Sequence, residues 1–313
     1  MSQITVQNLV DAVELEVVES GVDLGRKITE TFLVRPGMEL TGFTDYFTDS
    51  VKTRLQLIGT KEWNYLRDLD LETLKQRVGL LFNEETPAII FSNNFEVPNV
   101  MIELAKSTKM PILRTPLETS VIFSKMFNYL EEELSPVESF HGVLVDVNGV
   151  GVLITGKSGV GKSETALELI KRGHQLVADD RVDIFEKEIG TVIGRAPEIL
   201  KGFIEIRGIG IINIAELFGA SAYRSKKRVS LVIDLEDWEK GREYNRIGLV
   251  DETLKFFETE VAKITIPVKP GRSTASLIEV AAMNHRLKVM GYNAALDFTN
   301  RLNEFIKNKK ETE

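Results

Sequence analysis

The first half of the chain alternates short apolar runs with a stretch of helical spacing. "PAIIFS" (87–92) and "MPILRT" (110–115) are apolar runs bounded by turn residues, a pattern typical of buried strands. Between them, "PNVMIELAKST" (98–108) repeats its apolar residues at three- and four-residue intervals. The pattern predicts a strand-helix-strand unit, followed by a further helix in "TSVIFSKMFNYLEEELSP" (119–136).

The second half opens with a hairpin pattern. In "HGVLVDVNGVGVLITG" (141–156), Asn148-Gly149 lies between two β-branched runs, which favours a two-residue type I′ turn. If these two residues form the turn, the residue numbers of each facing pair add up to 297. His141 would then lie opposite Gly156.

A strand-helix-strand unit follows the hairpin. "SETALELIKRG" (163–173) has helical spacing, and "QLVA" (175–178) reads as a strand that ends in Asp179-Asp180. Because such a crossover returns the second strand parallel to the first, both strands should end at the same edge of the sheet. The two aspartates are therefore expected beside the segment that precedes the helix.

Length and linker composition predict two domains. A chain of 313 residues is long for one compact unit. The acidic stretch "LEEELSP" (130–136) is the candidate linker. We predict an α/β fold with a small N-terminal α/β domain (1–133) and a C-terminal domain (134–313) that closes with helices.

Composition excludes several classes of site. With no cysteine, the chain has no disulfides, zinc–thiolate sites or cysteine nucleophiles. Three histidines argue against a multi-histidine metal centre, and the net charge of −8 argues against broad nucleic-acid binding. The start, "MSQITVQNLVDAVELEV", shows no secretory signal, and no apolar run is long enough to span a bilayer. We expect a soluble cytoplasmic protein that binds neither nucleic acid nor membrane.

The loop between the hairpin and the helix has the spacing of a phosphate-binding loop. Its glycines allow several backbone N–H groups to face a phosphate, and the following helix N-terminus adds positive potential. Lys162 is placed to reach the β- and γ-phosphates, and the Ser163 hydroxyl is placed to bind Mg²⁺. The alternative is a glycine-rich turn without a ligand, which the strand-loop-helix context disfavours. The loop consists of Gly156, Lys157, Ser158, Gly159, Val160, Gly161, Lys162 and Ser163.

Carboxylates follow the predicted strands. Of Asp179 and Asp180, one could hold a metal and one could accept a proton from a hydroxyl; the alternative is a solvated turn. Asp234 ends the apolar run in "VSLVIDLEDW" (229–238), which suits either a metal-binding Walker B carboxylate or an ordinary buried strand. Spacing leaves open whether Asp179 or Asp234 contacts a metal.

Glycine-rich and basic segments supply further candidates. In "FIEIRGIGIINI" (203–214), alternation places Glu205 and Arg207 on one strand face, as site residues or as a structural ion pair. "TIPVKPGRSTASL" (265–277) predicts a turn from Pro267 to Pro270, which is either a second anion site or a solvated loop. A helix should start near Ser273 or Thr274 and bury Leu277, Val280, Ala281 and Leu287.

Four segments in order resemble the HPr kinase/phosphorylase family. They are "SFHGVLVDVNGVGVLITGKSGVGKSETALELIKRGHQLVADD" (139–180), "IEIRGIGIIN" (204–213), "EYNRIGL" (243–249) and "IPVKPGR" (266–272). "RPGMELTGFTDYF" (35–47) extends the resemblance into the first half. The phosphate-loop motif is common to many families, whereas the 204–213 segment is much more specific.

The resemblance implies roles for individual residues. The P-loop domain would have a mixed sheet and a nucleotide site like that of phosphoenolpyruvate carboxykinase. Lys162 would bind the nucleotide, and Ser163 and Glu205, rather than Asp234, would bind the metal. His141, Asp180 and Arg246 would be catalytic, with Asp180 as acid and base. The segment that acts in both phosphorylation and dephosphorylation would be Glu205, Ile206, Arg207, Gly208, Ile209 and Gly210. The loop that acts in dephosphorylation would be Pro267, Val268, Lys269, Pro270, Gly271 and Arg272.

The resemblance also implies an activity. ATP or pyrophosphate with Mg²⁺ would phosphorylate a serine of the phosphocarrier protein HPr, and inorganic phosphate would reverse the reaction to give pyrophosphate, in carbon catabolite repression. Members are homo-oligomers, typically hexamers. Two other hypotheses stay open: a P-loop kinase of a small metabolite, and a nucleotide-gated regulatory module without chemistry.

Overall fold

The computed structural model describes residues 4–35, 52–238, 252–269 and 271–310. The chain forms two compact units, Met1–Pro136 and Val137–Glu313. The division at 133/134 that the sequence suggests falls in the last turn of a helix, Thr119–Leu134. Within the described ranges, no helix combines the length and apolarity that crossing a membrane requires.

The described residues of the N-terminal unit form short strands and five α-helices. The strands are β1 (Ile4–Thr5), β2 (Glu16–Val17), β3 (Lys27–Ile28), β4 (Gln56–Ile58), β5 (Ile89–Phe91) and β6 (Ile112–Arg114). The helices are α1 (Val6–Val13), α2 (Thr60–Arg67), α3 (Leu71–Gly79), α4 (Asn99–Thr108) and α5 (Thr119–Leu134).

A four-stranded sheet in the order β2-β6-β5-β4 organises this unit. Strands β4, β5 and β6 are parallel and β2 is antiparallel, so the predicted unit β5-α4-β6 is confirmed. Neighbouring strand residues belong to separate cores: Ile90 packs with α1 and α5, whereas Ile89 and Phe91 pack with α2, α3 and α4. Burial on both faces explains why these strands read as uninterrupted apolar runs.

The described residues of the C-terminal unit form twelve strands and four α-helices. The strands are β7 (Val137–His141), β8 (Val143–Val147), β9 (Val150–Gly156), β10 (Gln175–Ala178), β11 (Arg181–Glu188), β12 (Thr191–Arg195), β13 (Phe203–Ile206), β14 (Gly210–Asn213), β15 (Lys226–Arg228), β16 (Leu231–Asp237), β17 (Glu252–Phe256) and β18 (Thr259–Val268). The helices are α6 (Lys162–Lys171), α7 (Ile214–Phe218), α8 (Thr274–Val289) and α9 (Ala294–Lys310).

The main sheet of this unit is mixed, as predicted. Its order is β10-β8-β9-β16-β18-β17. Strand β16 is parallel to β9 and β18, whereas β8 is antiparallel to both β9 and β10. Strand β10 therefore runs in the direction of β9, as the crossover predicted, although β8 lies between them. Helices α6 and α8 cover one face, and the sheet β15-β12-β11-β7 covers the other.

The type I′ hairpin is confirmed, but one consequence of its register is wrong. Asn148 and Gly149 have φ values of 51° and 88°. The predicted pairing persists only to Val143 opposite Ile154. The chain then changes sheets, and His141 in β7 pairs with Arg181 of β11 instead of facing the phosphate loop across β9. Turn chemistry sets a register locally, whereas the sheet change is imposed by packing between two sheets.

Helix α8 begins where the sequence predicts, but only part of the predicted face is buried: Leu277 and Ala281 pack partly buried against the core. The Ser273 hydroxyl accepts a hydrogen bond from the Ser276 N–H, as an N-cap does. The predicted burial of Val280 and Leu287 is wrong, because they are 59% and 44% exposed. The helix packs on the sheet through three small residues, which permit close approach, and through the larger Ile278. The buried residues are Thr274, Ala275, Ile278 and Ala282.

An ionic cluster joins α8 to the helix that follows the phosphate loop. The Glu279 carboxylate in α8 contacts His174 Nε2 at 2.9 Å and Arg172 NH1 at 2.6 Å. Hydrogen bonding from His174, and then from Arg172, lowers the pKa of Glu279 against the cost of burial. His174 is therefore structural.

We predict that Glu279→Gln lowers the free energy of unfolding by about 2 kcal/mol at neutral pH, because it removes hydrogen bonds to a charged group. The depressed pKa means that this contribution is complete above the ordinary value of 4.5 and is lost as the pH falls through the folded value. Urea unfolding from pH 7 downwards should show the difference from wild type shrinking below pH 4.5. Glu258→Gln, which breaks the exposed pair with Lys255, should have little effect. A constant difference at all pH values would contradict the assignment.

Candidate active site

The phosphate loop is held tightly between a strand and a helix. Its glycines Gly156, Gly159 and Gly161 have φ values of 137°, 84° and 99°. A Cβ on Gly156 would lie 2.4 Å from the Leu235 carbonyl oxygen of β16, so only glycine fits at the start of the loop. Val160 is buried in the core and anchors the loop from inside. The loop conformation therefore depends both on the positive φ values that glycine allows and on packing against the core.

The Lys162 ammonium group lies within the loop. Its Nζ donates to the carbonyl oxygens of Gly156 at 3.0 Å and Lys157 at 3.2 Å, and the residue is buried. An ammonium group has three N–H donors, and these two bonds use two of them. A positive charge is therefore placed at the N-terminus of α6, where the helix dipole also favours an anion.

A cleft of about 200 Å³ brings distant segments of the sequence together beside this loop. It unites ten of the residues that the sequence singled out with Val143 and Glu164, which it did not single out. Glu164 lies in the first turn of α6, directly after Ser163. Its place next to the phosphate loop could have identified it from the sequence. The cleft is lined by His141, Val143, Ser158, Gly159, Gly161, Lys162, Ser163, Glu164, Asp179, Asp180, Glu205 and Arg207.

Asp179 connects three of these segments through one buried carboxylate. Its Oδ1 accepts from the Ser163 hydroxyl at 2.8 Å, and its Oδ2 accepts from the Glu205 N–H at 3.0 Å. Burial raises the pKa of Asp179, and these hydrogen bonds only partly oppose the shift. Sequence reasoning left the role of Asp179 open, although its position at the end of an apolar strand signals a buried carboxylate.

Asp180 follows with the opposite character. Its φ is 64°, and the Arg181 N–H donates to the Asp179 carbonyl oxygen at 2.8 Å, the hydrogen bond of a γ-turn. A positive φ is uncommon outside glycine, and such strain is found at functional sites. The turn leaves the Asp180 side chain 69% exposed beside the cleft.

His141 contacts Asp180 through one ring nitrogen. Nδ1 lies 3.0 Å from the Asp180 carbonyl oxygen and 3.2 Å from its Oδ1. A carbonyl oxygen only accepts, so Nδ1 carries a hydrogen in this arrangement. The two residues come from β7 and from the end of β10, and the pairing of His141 with Arg181 brings them together.

The 203–214 segment is a hairpin rather than one strand. Strand β13 ends at Ile206, pairs with β14 and leaves Arg207 in the turn, so the prediction that Glu205 and Arg207 share one strand face was wrong. The described contacts include no ion pair between Glu205 and Arg207. A Cβ on Gly159 would lie 3.6 Å from Arg207 NH1, which places this guanidinium beside the phosphate loop. Glycines at 208 and 210, both with positive φ, permit the tight turn.

Asp234 is engaged in structural contacts. Its carboxylate contacts Lys263 Nζ at 2.8 Å and accepts from the Thr155 hydroxyl at 2.9 Å. Asp234 does not line the cleft. These contacts favour the buried-strand interpretation over a Walker B metal ligand.

None of the described residues of the candidate loop 267–272 lines the cleft. Pro267 and Val268 belong to β18, so the predicted turn does not begin until Lys269. The Arg272 N–H donates to the Lys269 carbonyl oxygen at 3.2 Å. Lys269 Nζ lies 4.9 Å from the ring centroid of Trp238. Gly271 precedes Arg272 in this turn with positive φ. Pro270 and Arg246 lie outside the described residues.

Comparison with known proteins decides the family. The family model described as "HPr Serine kinase C-terminal domain" matches residues 132–302, and the one described as "HPr Serine kinase N terminus" matches residues 4–130. The chain belongs to the HPr serine kinase family. The resemblance inferred from its motifs is therefore confirmed.

Curated relatives within the HPr serine kinase family match over the full length. The HPr kinase/phosphorylase of Bacillus subtilis (strain 168) is 48% identical over 313 residues and is covered completely, as is this chain. That of Bacillus licheniformis is 50% identical over 306 residues, 98% of each chain. The solved structure of the Hpr(Ser) kinase/phosphatase from Coxiella burnetii is 40% identical, with a TM-score of 0.47; the match covers 51% of this chain and 98% of that one.

Ser163 and Glu205, which the family resemblance implies as Mg²⁺ ligands, both line the cleft, and so does Asp179. The Ser163 hydroxyl and the Asp179 carboxylate are 2.8 Å apart, and Glu205 lines the same cleft. In the described ranges, no group of three or more His, Asp or Glu side chains could hold an ion alone. Mg²⁺ typically takes one or two carboxylates and completes its shell with water and substrate phosphates, so this set fits.

We predict that Asp179→Ala loosens the β13–β14 hairpin of this HPr serine kinase. The change leaves the Glu205 N–H without its partner, which should lower the free energy of unfolding by about 2 kcal/mol. Hydrogen exchange followed by mass spectrometry should show faster exchange in peptides that contain Glu205. Asp180→Asn is the matched control: the side chain is exposed and asparagine tolerates the positive φ of this position, so stability and exchange should stay nearly unchanged. Equal effects of the two changes would refute the linking role of Asp179.

Proposed function

We propose that the chain phosphorylates a serine of the protein HPr with ATP or pyrophosphate, and that it also catalyses the reverse phosphorolysis, as a regulator of carbon catabolite repression. The observation that carries this proposal is the single cleft shared by a phosphate loop and an exposed Asp180–His141 pair. The relatives are named HPr kinase/phosphorylase, which supports this substrate and both directions. The absence of cysteine suits a reducing compartment, and we place the reaction in the cytoplasm.

In the forward direction, the loop Gly156–Ser163 holds the phosphates of the donor through its N–H groups and Lys162. The serine oxygen attacks the terminal phosphorus in line, a new O–P bond forms, and the bond to the leaving phosphate oxygen breaks. Asp180 accepts the serine proton. Lys162 and Arg207 stabilise charge on the transferred group, and electrostatic stabilisation of this kind is the main source of catalysis in phosphoryl transfer.

Mg²⁺, when bound, neutralises charge on the phosphate oxygens. Ser163, Asp179 and Glu205 are the residues that would hold it. Asp179 already contacts the Ser163 hydroxyl and the Glu205 backbone, so it keeps the two other ligands close together.

His141 acts through Asp180. Its Nδ1–H contacts both the carbonyl oxygen and the carboxylate of Asp180, which restricts the orientation of that carboxylate. Together with the γ-turn, this contact presents the base to an incoming hydroxyl. Arg246 is proposed as a further active-site residue on the basis of the family motif.

In the reverse direction, inorganic phosphate attacks the phosphorus of phosphoserine. Asp180 is now protonated and returns its proton to the leaving serine oxygen, and the product is pyrophosphate. One residue serves as base and acid because both directions pass through the same transition state. The cations Lys269 and Arg272 are proposed to act mainly in this direction, in line with the family role of the loop Pro267–Arg272.

Two other functions make different predictions. A kinase of a small metabolite would use the same loop and base but would not modify HPr. A nucleotide-gated regulatory module would bind ATP without transfer. The exposure of Asp180 favours a protein substrate, because a serine on a folded surface reaches an exposed base without a deep pocket.

We predict that the protein labels HPr on serine when it is incubated with ATP labelled at the γ-phosphate and Mg²⁺. Lys162→Ala should reduce this transfer by at least about a hundredfold, because it removes the loop cation. Lys171→Ala is the matched control, since this exposed lysine ends the same helix and should retain full activity. Label on a small metabolite instead of HPr would support the second function, and bound ATP without transfer would support the third.

We predict that Asp180→Asn slows serine phosphorylation and phosphoserine phosphorolysis together, each by about a hundredfold or more, because one acid–base group serves both. Single-turnover rates in the two directions measure this. Arg272→Ala provides the contrast and should slow phosphorolysis more than phosphorylation. Near-normal phosphorylation by Asp180→Asn would exclude Asp180 as the base.

The proposed assembly is a homo-oligomer, with the hexamer of the family as the expected state. Sedimentation velocity of the full chain tests it directly.

A further inference from the structure

The β13–β14 hairpin has one buried and one exposed face. Ile204 and Ile206 of β13 point into the core of the C-terminal unit. Alternation places Phe203 and Glu205 on the opposite face. We call Phe203, Glu205 and Ile211 the outer hairpin face.

Two apolar side chains flank the cleft carboxylate on this face. Ile211 of β14 lies directly opposite Glu205 of β13, and directly opposed Cβ atoms in antiparallel pairs are about 5 Å apart. Phe203 lies two residues before Glu205, about 7 Å along the strand. Glu205 itself lines the cleft, so the apolar surface continues from the rim of the active site.

The exposure of these side chains has no purpose within the described fold. Ile211 is 74% exposed and Phe203 is 40% exposed. Ile199 and Leu217, which flank the hairpin in sequence, are also exposed large apolar residues. Threonine has similar strand propensity to isoleucine, so pairing alone does not require an apolar residue at 211. Clustered exposed apolar residues beside a functional site are typical of interaction surfaces.

We propose that the outer hairpin face docks the protein substrate, through an apolar patch that adjoins the reactive serine. The inference rests on the proposed function and adds a recognition site to it. For transfer, the serine oxygen must approach the phosphorus to about 3–3.5 Å. The surface around a serine on a folded protein then lies over the cleft rim, and Glu205 and Arg207 of this hairpin form part of that rim.

The same geometry separates this surface from the nucleotide site. The donor phosphates lie on the loop Gly156–Ser163 and Lys162, whereas Phe203 and Ile211 do not line the cleft. A change at Ile211 should therefore weaken binding of the protein substrate and leave nucleotide binding unchanged. A small metabolite held beside Asp180 would not depend on either residue.

The test compares Ile211→Thr with Ile211→Val in the full-length protein. Threonine and valine have nearly the same shape, so the pair isolates apolar character. We expect Ile211→Thr to raise both the Kd and the KM for HPr about tenfold, equivalent to about 1.4 kcal/mol, while Ile211→Val stays within about threefold of wild type. The Kd for ATP, the kcat and the thermal midpoint should not change for either variant.

Ile189→Thr is the matched control. Ile189 is 82% exposed in the turn after β11, whose other end, at Arg181, pairs with His141. Eight residues of strand place it roughly 26 Å from that end. This variant should bind and phosphorylate HPr as wild type does.

Three results would overturn the docking site. The first is a KM and Kd for HPr that stay at wild-type values in Ile211→Thr. The second is an equal loss in Ile189→Thr. The third is a changed sedimentation coefficient in Ile211→Thr, which would assign the face to contact with a second copy. If wild type fails to phosphorylate HPr at all, the proposed function fails, which is distinct from a wild-type enzyme that is insensitive to Ile211.

Discussion

The active-site cleft depends on one buried carboxylate. Asp179 receives hydrogen bonds from the Ser163 hydroxyl and the Glu205 backbone, and so joins the phosphate-loop helix, the end of β10 and the β13–β14 hairpin. Burying a charged carboxylate is costly, and the raised pKa of Asp179 reflects that cost. The arrangement is stable because the two donors face the carboxylate. A bound cation would stabilise the charged form further.

Two adjacent aspartates have different surroundings, which suit the two different roles proposed for them. Asp179 follows a buried strand and is held by one hydrogen bond to each carboxylate oxygen, which suits positioning. Asp180 occupies the strained centre of a γ-turn, is exposed and contacts His141, which suits proton transfer. The strain at Asp180 is maintained by the strand β10 before it and the strand β11 after it. The fold therefore places a rigid carboxylate and an accessible one within one residue of each other.

Local patterns predicted the parts of this site that local chemistry determines. The phosphate loop, the type I′ hairpin and the N-cap of α8 follow from glycine, Asn-Gly and serine at fixed positions. The course of His141 into a second sheet, the turn at Arg207 and the buried face of α8 were not predictable, because contacts between distant segments decide them. The Asp234–Lys263 pair is also a contact between distant segments. An apolar run that ends in Asp resembles a metal site until the neighbouring parallel strand is known.

The β13–β14 hairpin connects the proposed docking surface for the protein substrate to the phosphate-binding cleft. Its inner face is fixed in the core by Ile204 and Ile206, and its backbone is bound to Asp179, so it has little freedom to move independently of the phosphate loop. Its turn places Arg207 beside Gly159. A protein that contacts the outer hairpin face is therefore positioned relative to the donor phosphates by a short, rigid element. Positioning of this kind favours a substrate that presents its serine on a folded surface over a free hydroxyl compound, because only the former can use the hairpin and the base together.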